Sequence, residues 1–141
     1  MVTFKNSRMQ TPPKKTQEIL IVEDHGSLRE SLVNWLTDLF PEATVRQAST
    51  GEESVVLAGS IQPDIILMDI GLPGINGIEA TREILQQGIP SKIVVLTNLD
   101  GEIYKKSAME AGAVEFIRKR EMNLKLPSVL GQLMNTQSLK S

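Results

Sequence analysis

From Glu18 onward the chain alternates between two textures. Short β-branched or aliphatic runs appear five times, at Ile19–Val22, Thr44–Ala48, Ile65–Met68, Ile93–Leu96 and Val114–Ile117. The third and fourth are apolar throughout, as strands covered on both faces of a parallel sheet must be. Between the runs lie helical patterns. Leu28, Leu32, Trp35, Leu36 and Leu39 repeat at helical spacing, and Ser27-x-x-Glu30 predicts a capping box at the start of that helix. Weaker helical texture fills Gly51–Ala58, Gly77–Gln87 and Glu102–Ala111, and a last helix is expected to start near Pro127, a residue tolerated in a first turn. Five strands alternating with five helices predict an α/β fold, one parallel sheet wrapped on both faces with right-handed connections. Residues 1–17 are polar, without period, and carry Thr-Pro-Pro-Lys-Lys, so a flexible N-terminal tail is expected there. The domain is placed at 18–135, with a polar C-terminal tail at 136–141 and no room for a second domain.

The 141 residues are 40% hydrophobic and 23% charged, the make-up of one globular domain. No cysteine is present. That excludes disulfides, thiolate nucleophiles and Cys-based metal sites. The apolar runs are too short to span a bilayer and no signal peptide is visible, so a cytoplasmic location is expected, with no membrane partner. Net charge is −2, divided into +4 over residues 1–17 and −6 over the rest. The bulk charge gives no reason to expect direct nucleic-acid binding.

In an open α/β sheet, ligands bind beyond the carboxyl ends of the strands. Glu23 and Asp24 follow the first run, Asp69 the third, Thr97 the fourth, and Arg118 with Lys119 the fifth. A lone acid after a strand is commonly a cap or turn residue. Together, three carboxylates, a hydroxyl and an ammonium at one sheet edge suit a different task. Clustered carboxylates need a cation, and hard oxygen donors with open positions suit Mg²⁺. A carboxylate can attack phosphorus to give an aspartyl phosphate. Metal, ammonium and hydroxyl then neutralise the phosphoryl oxygens. No Gly-x-Gly-x-x-Gly follows the first strand and no Walker loop occurs, which excludes the usual nucleotide-binding loops.

Glu23-Asp24, then Met68-Asp69-Ile70-Gly71-Leu72-Pro73-Gly74-Ile75-Asn76-Gly77, then Leu96-Thr97, then Phe116-Ile117-Arg118-Lys119 resembles the receiver domain of two-component response regulators. The likeness covers about 18–135, and the central ten residues look most like receivers of the NarL/LuxR branch. It implies a flavodoxin- or CheY-like three-layer (βα)5 sandwich with strand order 2-1-3-4-5. It further implies a switch rather than an enzyme, with Asp69 phosphorylated by a sensor histidine kinase or phosphotransfer protein. Asp24, Asp69 and the Gly71 carbonyl would bind Mg²⁺, with Glu23 helping through water. Lys119 would pair with the phosphoryl group and Thr97 would hydrogen-bond it. Phe116 would relay the change to the face of the fourth helix, fifth strand and fifth helix. That face, or the one formed by the first and fifth helices, is where the resemblance puts a homodimer. It also makes a DNA-binding continuation beyond Ser141 an open alternative.

Three positions depart from the commonest receiver pattern. Arg120 stands where a proline, often cis, usually follows the lysine, and Asn98 where Ala or Gly usually follows the threonine. Gly71 and Leu99, flanking the expected path of attacking water, carry no polar side chain, so slow self-dephosphorylation is expected. Arg118 and Arg120 are expected to be solvated neighbours of a functional lysine. Two other readings stand beside the switch. One is a receiver-like interaction module that works without phosphate. The other is a haloacid-dehalogenase-like phosphatase, disfavoured because Gly71 occupies the place of its second acid.

Overall fold

The computed structural model describes residues 16–140, with side chains through 135; most of the expected N-terminal tail lies outside the described residues. Strand β1 (Glu18–Val22) leads into α1 (Gly26–Leu39), β2 (Thr44–Ala48), α2 (Gly51–Ile61), β3 (Ile65–Met68) and α3 (Gly77–Gln86). Next come β4 (Lys92–Thr97), α4 (Glu102–Ala111), β5 (Glu115–Arg118), a 3-10 turn (Lys119–Glu121) and α5 (Met122–Lys140). All pairings are parallel, and the order is β2-β1-β3-β4-β5. This is the expected doubly wound sandwich.

Strand side chains alternate between faces, and the three central strands divide the core accordingly. Ile19, Ile21, Ile65, Leu67, Val94 and Leu96 pack under α1 and α5, against Leu32, Leu36, Leu126 and Leu130. Leu20, Val22, Ile66, Met68 and Ile93 pack on the opposite face, against Ala58 of α2 and Ala80 and Ile84 of α3. A smaller group of Ile70, Val95, Ala108, Ala113 and Phe116 lies under α4. The fully apolar runs are fully apolar because both faces are covered. Edge strand β2, by contrast, exposes Arg46 and Gln47. Among the described residues no helix is long and apolar enough to cross a membrane.

Register places the strand ends. Val22 is level with Met68, and Met68 with Val95, while Thr97 is level with Arg118. The residues that follow Val22 and Met68, Glu23 and Asp69, therefore emerge side by side.

Two local expectations are corrected. The first helix is not capped by a Ser27–Glu30 box. His25 is the N-cap residue, it supplies no side-chain cap, and Ser27 already lies inside the first turn. The same pattern works one helix later: Thr50 accepts the Glu53 N–H at 3.0 Å, and the Glu53 carboxylate reaches back to the Ser49 N–H at 2.9 Å. The fifth helix begins at Met122, not near Pro127, which sits within it. Its start follows directly from the 3-10 turn after β5, which a proline signal cannot mark. The helical backbone of α5 continues through 136–140, the segment assigned to the C-terminal tail.

Thr50→Ala should lower the unfolding free energy by about 1 kcal/mol, the usual worth of an N-cap bond. Ser27→Ala should leave it within about 0.5 kcal/mol, as at uninvolved surface positions. Urea unfolding of the two variants separates these outcomes.

Candidate functional site

The site grows out of the β1 and β3 ends. The Glu23 N–H donates to the Ala48 carbonyl at 3.1 Å and the Asp69 N–H to the Val22 carbonyl at 3.2 Å, extending the sheet by one rung. Behind Asp69 the chain turns tightly into α3. The Gly77 N–H donates to the Ile70 carbonyl at 2.9 Å, and a Cβ at Gly77 would overlap the Asp69 carbonyl oxygen. Only glycine permits that approach. The Asn76 side chain caps α3 by accepting the Glu79 N–H at 2.9 Å, and Glu52 of α2 steadies the same turn by accepting the Ile75 N–H at 3.1 Å.

Lys119 is delivered from the turn after β5. Its ammonium donates to Glu23 Oε1 at 2.7 Å and to Asp69 Oδ2 at 3.3 Å. The side chains of Lys119, Glu23 and Asp69 are only 9%, 2% and 8% exposed. Burial raises the Glu23 carboxyl, but the Lys119 ammonium and the hydrogen bonds from His25 outweigh it and hold the group below its ordinary value. Burial likewise depresses the Lys119 ammonium, but the Glu23 hydrogen bond and the Asp69 charge outweigh that and hold it above its ordinary value.

Asp24 lies beside this group. Its Oδ1 is shut off from solvent, makes no hydrogen bond and lies 3.5 Å from His25 Nδ1. Ligand atoms of Glu23, Asp24 and His25 all lie within 4.8 Å of one another. Asp69 lies outside that trio and meets Glu23 through the shared Lys119 ammonium. A buried carboxylate oxygen that no hydrogen bond satisfies, among hard oxygen donors, fits a divalent cation such as Mg²⁺. Gly71 is exposed, and its N–H donates weakly to Asp69 Oδ1 at 3.4 Å.

Thr97 and Phe116 are also in place at the sheet edge. Thr97 is wholly buried, and its hydroxyl accepts the Leu99 N–H at 3.2 Å. Phe116 is turned inward at 8% exposure, beside Ile70 and Val95. Thus the structure brings Glu23, Asp69 and Lys119 into direct contact. It puts Asp24 next to them and holds the Thr97 hydroxyl on its own loop.

Arg120 is exposed, as expected of a solvated neighbour, and Arg118 less so, but both are ion-paired. Arg118 Nε lies 2.7 Å from Asp100 Oδ1 and Arg120 Nη1 2.9 Å from Asp100 Oδ2, because the loop after β4 folds over the end of β5. The sequence reading also missed His25. Its backbone N–H donates to Glu23 Oε2 at 3.1 Å, and its Nδ1 lies 3.2 Å from the same oxygen. Adjacency to Glu23-Asp24 was the available signal. Arg29, whose Nη1 donates to the Glu23 carbonyl at 2.8 Å, gave none beyond its helical position.

The model of the response regulator receiver domain family matches residues 19–130. Response regulator GacA of Pseudomonas aeruginosa is 36% identical over 102 residues, covering 72% of this chain and 48% of GacA. The nitrate/nitrite response regulator NarL of Escherichia coli is 35% identical over 102 residues, covering 72% of this chain and 47% of NarL. The chain spans about half the length of the curated relatives it matches. Among solved structures, a LuxR-family two-component response regulator from Aurantimonas sp. SI85-9A1 superposes with a TM-score of 0.72 at 33% identity, covering 86% of this chain and 84% of that one. The N-terminal domain of a Wolinella succinogenes protein gives 0.82 at 30% identity, covering 89% of this chain and all of that one.

Replacing Lys119 by Met should cost about 3 kcal/mol or more near neutral pH, because two buried carboxylates lose their counter-charge. The sign with pH follows from Glu23, whose folded value is depressed. The stability that Lys119 confers is full above about pH 4.3, the unfolded carboxyl value, and shrinks as pH falls through the lower folded one. Urea unfolding of both proteins from acid to neutral pH should show the two curves converging at the acid end; a constant gap would refute the assignment.

Proposed function

Because the chain belongs to the response regulator receiver domain family, we propose that it is a phosphorylation switch whose acceptor is Asp69. The observation that carries this reading is the buried Glu23–Lys119–Asp69 contact beside an Asp24 oxygen that no hydrogen bond satisfies. The phosphodonor is the phosphohistidine of a sensor histidine kinase or phosphotransfer protein, and residues 18–135 act as the switch domain in the cytoplasm. An Asp69 carboxylate oxygen attacks phosphorus, the P–N bond breaks, and the imidazole departs with the nitrogen electron pair. The products are an acyl phosphate on Asp69 and a free histidine on the donor.

Lys119 already points its ammonium at Asp69, so a phosphoryl oxygen arriving there meets a fixed positive charge that needs no reorganisation. Glu23 keeps that ammonium aimed and protonated. Asp24, Asp69 and the Gly71 carbonyl would hold Mg²⁺, with Glu23 reaching it through water. When bound, the ion supplies charge neutralisation to the phosphoryl oxygens. The Thr97 hydroxyl, which accepts the Leu99 N–H, donates its own proton to a phosphoryl oxygen. The loop then moves and Phe116, packed beneath α4, senses the change. The output passes to the α4–β5–α5 face. A homodimer through that face or the α1–α5 face, and a DNA-binding segment beyond Ser141, belong to the same reading. This domain itself touches no nucleic acid.

Incubation with acetyl phosphate and Mg²⁺ should add the mass of one phosphoryl group. Uptake should vanish in Asp69→Asn and fall sharply in Asp24→Asn. Retained uptake in Asp69→Asn refutes the acceptor assignment.

The lifetime of the acyl phosphate is the second test. A Cβ at Gly71 would meet nothing within 4 Å, so a longer side chain fits there. Leu99 packs half-buried against the Ile70–Phe116 group. Gly71→Asn with Leu99→Glu should speed loss of the phosphoryl group about tenfold, ~1.4 kcal/mol of barrier, by orienting the attacking water. Decay followed by intact mass spectrometry decides it; an unchanged rate removes these two positions from control of the lifetime.

A further inference from the structure

The two arginines on either side of Lys119 close on a single carboxylate that the switch reading does not use. Asp100 lies in the loop between β4 and α4, residues 98–101. Its Oδ1 accepts from Arg118 Nε at 2.7 Å and its Oδ2 from Arg120 Nη1 at 2.9 Å, with Arg120 Nη2 at 3.5 Å from Oδ1. Arg118 is anchored in turn: its guanidinium lies 5.5 Å from the centre of the Phe116 ring and its Nη2 3.7 Å from Glu102. Its side chain is 21% exposed against 57% for Asp100. Arg120 and then Arg118 hold the Asp100 carboxyl below the usual carboxylate range.

The loop has little else to fix it. Helix α4 starts on Gly101, at φ +113, with no side-chain cap. The backbone ties are the Leu99 N–H to the Thr97 hydroxyl and the Tyr104 N–H to the Gly101 carbonyl, both 3.2 Å. Isolated surface ion pairs are worth little, but a carboxylate gripped by two guanidiniums, one of them bidentate, is the geometry in which such pairs do count. The short stretch 118–120 therefore reaches the acceptor through Lys119 and the loop through its neighbours.

We propose that Asp100 is a positioning residue, clamping the 98–101 loop to the β5 end so that Leu99 stays packed on the group of Ile70, Val95 and Phe116 and limits water access to the phosphoryl group. The clamp rests on the reading of Asp69 as acceptor for its effect on lifetime, though not for its effect on the loop. It also explains how Arg120 serves where a proline would otherwise stiffen the turn. The guanidinium secures the neighbouring loop instead.

The test uses the full chain and three proteins: wild type, Asp100→Asn and Asp100→Glu. In the unmodified state, amide hydrogen exchange at Leu99 should be about fivefold faster in Asp100→Asn than in wild type. Exchange in β1 and β3 should be unchanged, and Asp100→Glu should lie near wild type. After loading with acetyl phosphate and Mg²⁺, Asp100→Asn should lose the phosphoryl group several times faster. Added salt should speed wild-type decay toward that of Asp100→Asn, since the ion pairs are screened, and leave the variant's decay unchanged. Equal exchange at Leu99 and equal decay in wild type and Asp100→Asn would overturn the clamp. If no protein takes up phosphoryl, the acceptor reading falls, and exchange at Leu99 alone decides whether Asp100 holds the loop.

Discussion

Two acids emerge side by side because β1 and β3 end at the same level, and one ammonium makes their joint burial tolerable. Most of the site is arranged around that contact. The Val22–Met68 register sets Glu23 against Asp69, and the 3-10 turn that follows β5, whose end is level with that of β4, brings Lys119 between them. A buried carboxylate pair without Lys119 would be a severe liability. With it, two acids and one ammonium share a buried contact, and the Asp24 oxygen beside Glu23 is left without a hydrogen bond.

The apolar interior and the polar edge answer to different constraints. Inside, alternation along β1, β3 and β4 divides the aliphatic side chains between α1–α5 and α2–α3, and substitution of one aliphatic residue by another changes packing alone. At the edge, backbone approach decides. Gly77 lets α3 start against the Asp69 carbonyl. Glu52 of α2 and Asn76 pin the turn between them. Asp69 is thus followed by a turn whose conformation is fixed from two helices, while the loop that follows Thr97 is held from the end of β5.

What was legible in the chain follows the same division. Ile65–Met68 and Ile93–Leu96 announced buried strands because nothing polar could be accommodated on either face, and the doubly wound order followed. Glu23, Asp69 and Lys119 could be grouped because topology brings strand ends together whatever the side chains do. The capping box could not be placed from pattern alone. Ser27-x-x-Glu30 and Thr50-x-x-Glu53 read alike, and the path of the preceding chain selects the second. Asp100 was equally invisible, since its partners lie 18 and 20 residues away on a strand end whose arginines look like ordinary surface charge.

The Lys119–Glu23 contact has a further chemical consequence. A neutral amine 3.3 Å from an aspartyl carboxyl would be a competent nucleophile once that carboxyl became an acyl phosphate. It would displace phosphate and weld β5 to β3 through an amide, a dead end for a reversible switch. Protonation removes the lone pair that such an attack requires. On the switch reading proposed above, Glu23, by holding Lys119 as an ammonium, would leave the activated carboxyl open to water and to phosphotransfer while closing it to its nearest neighbour.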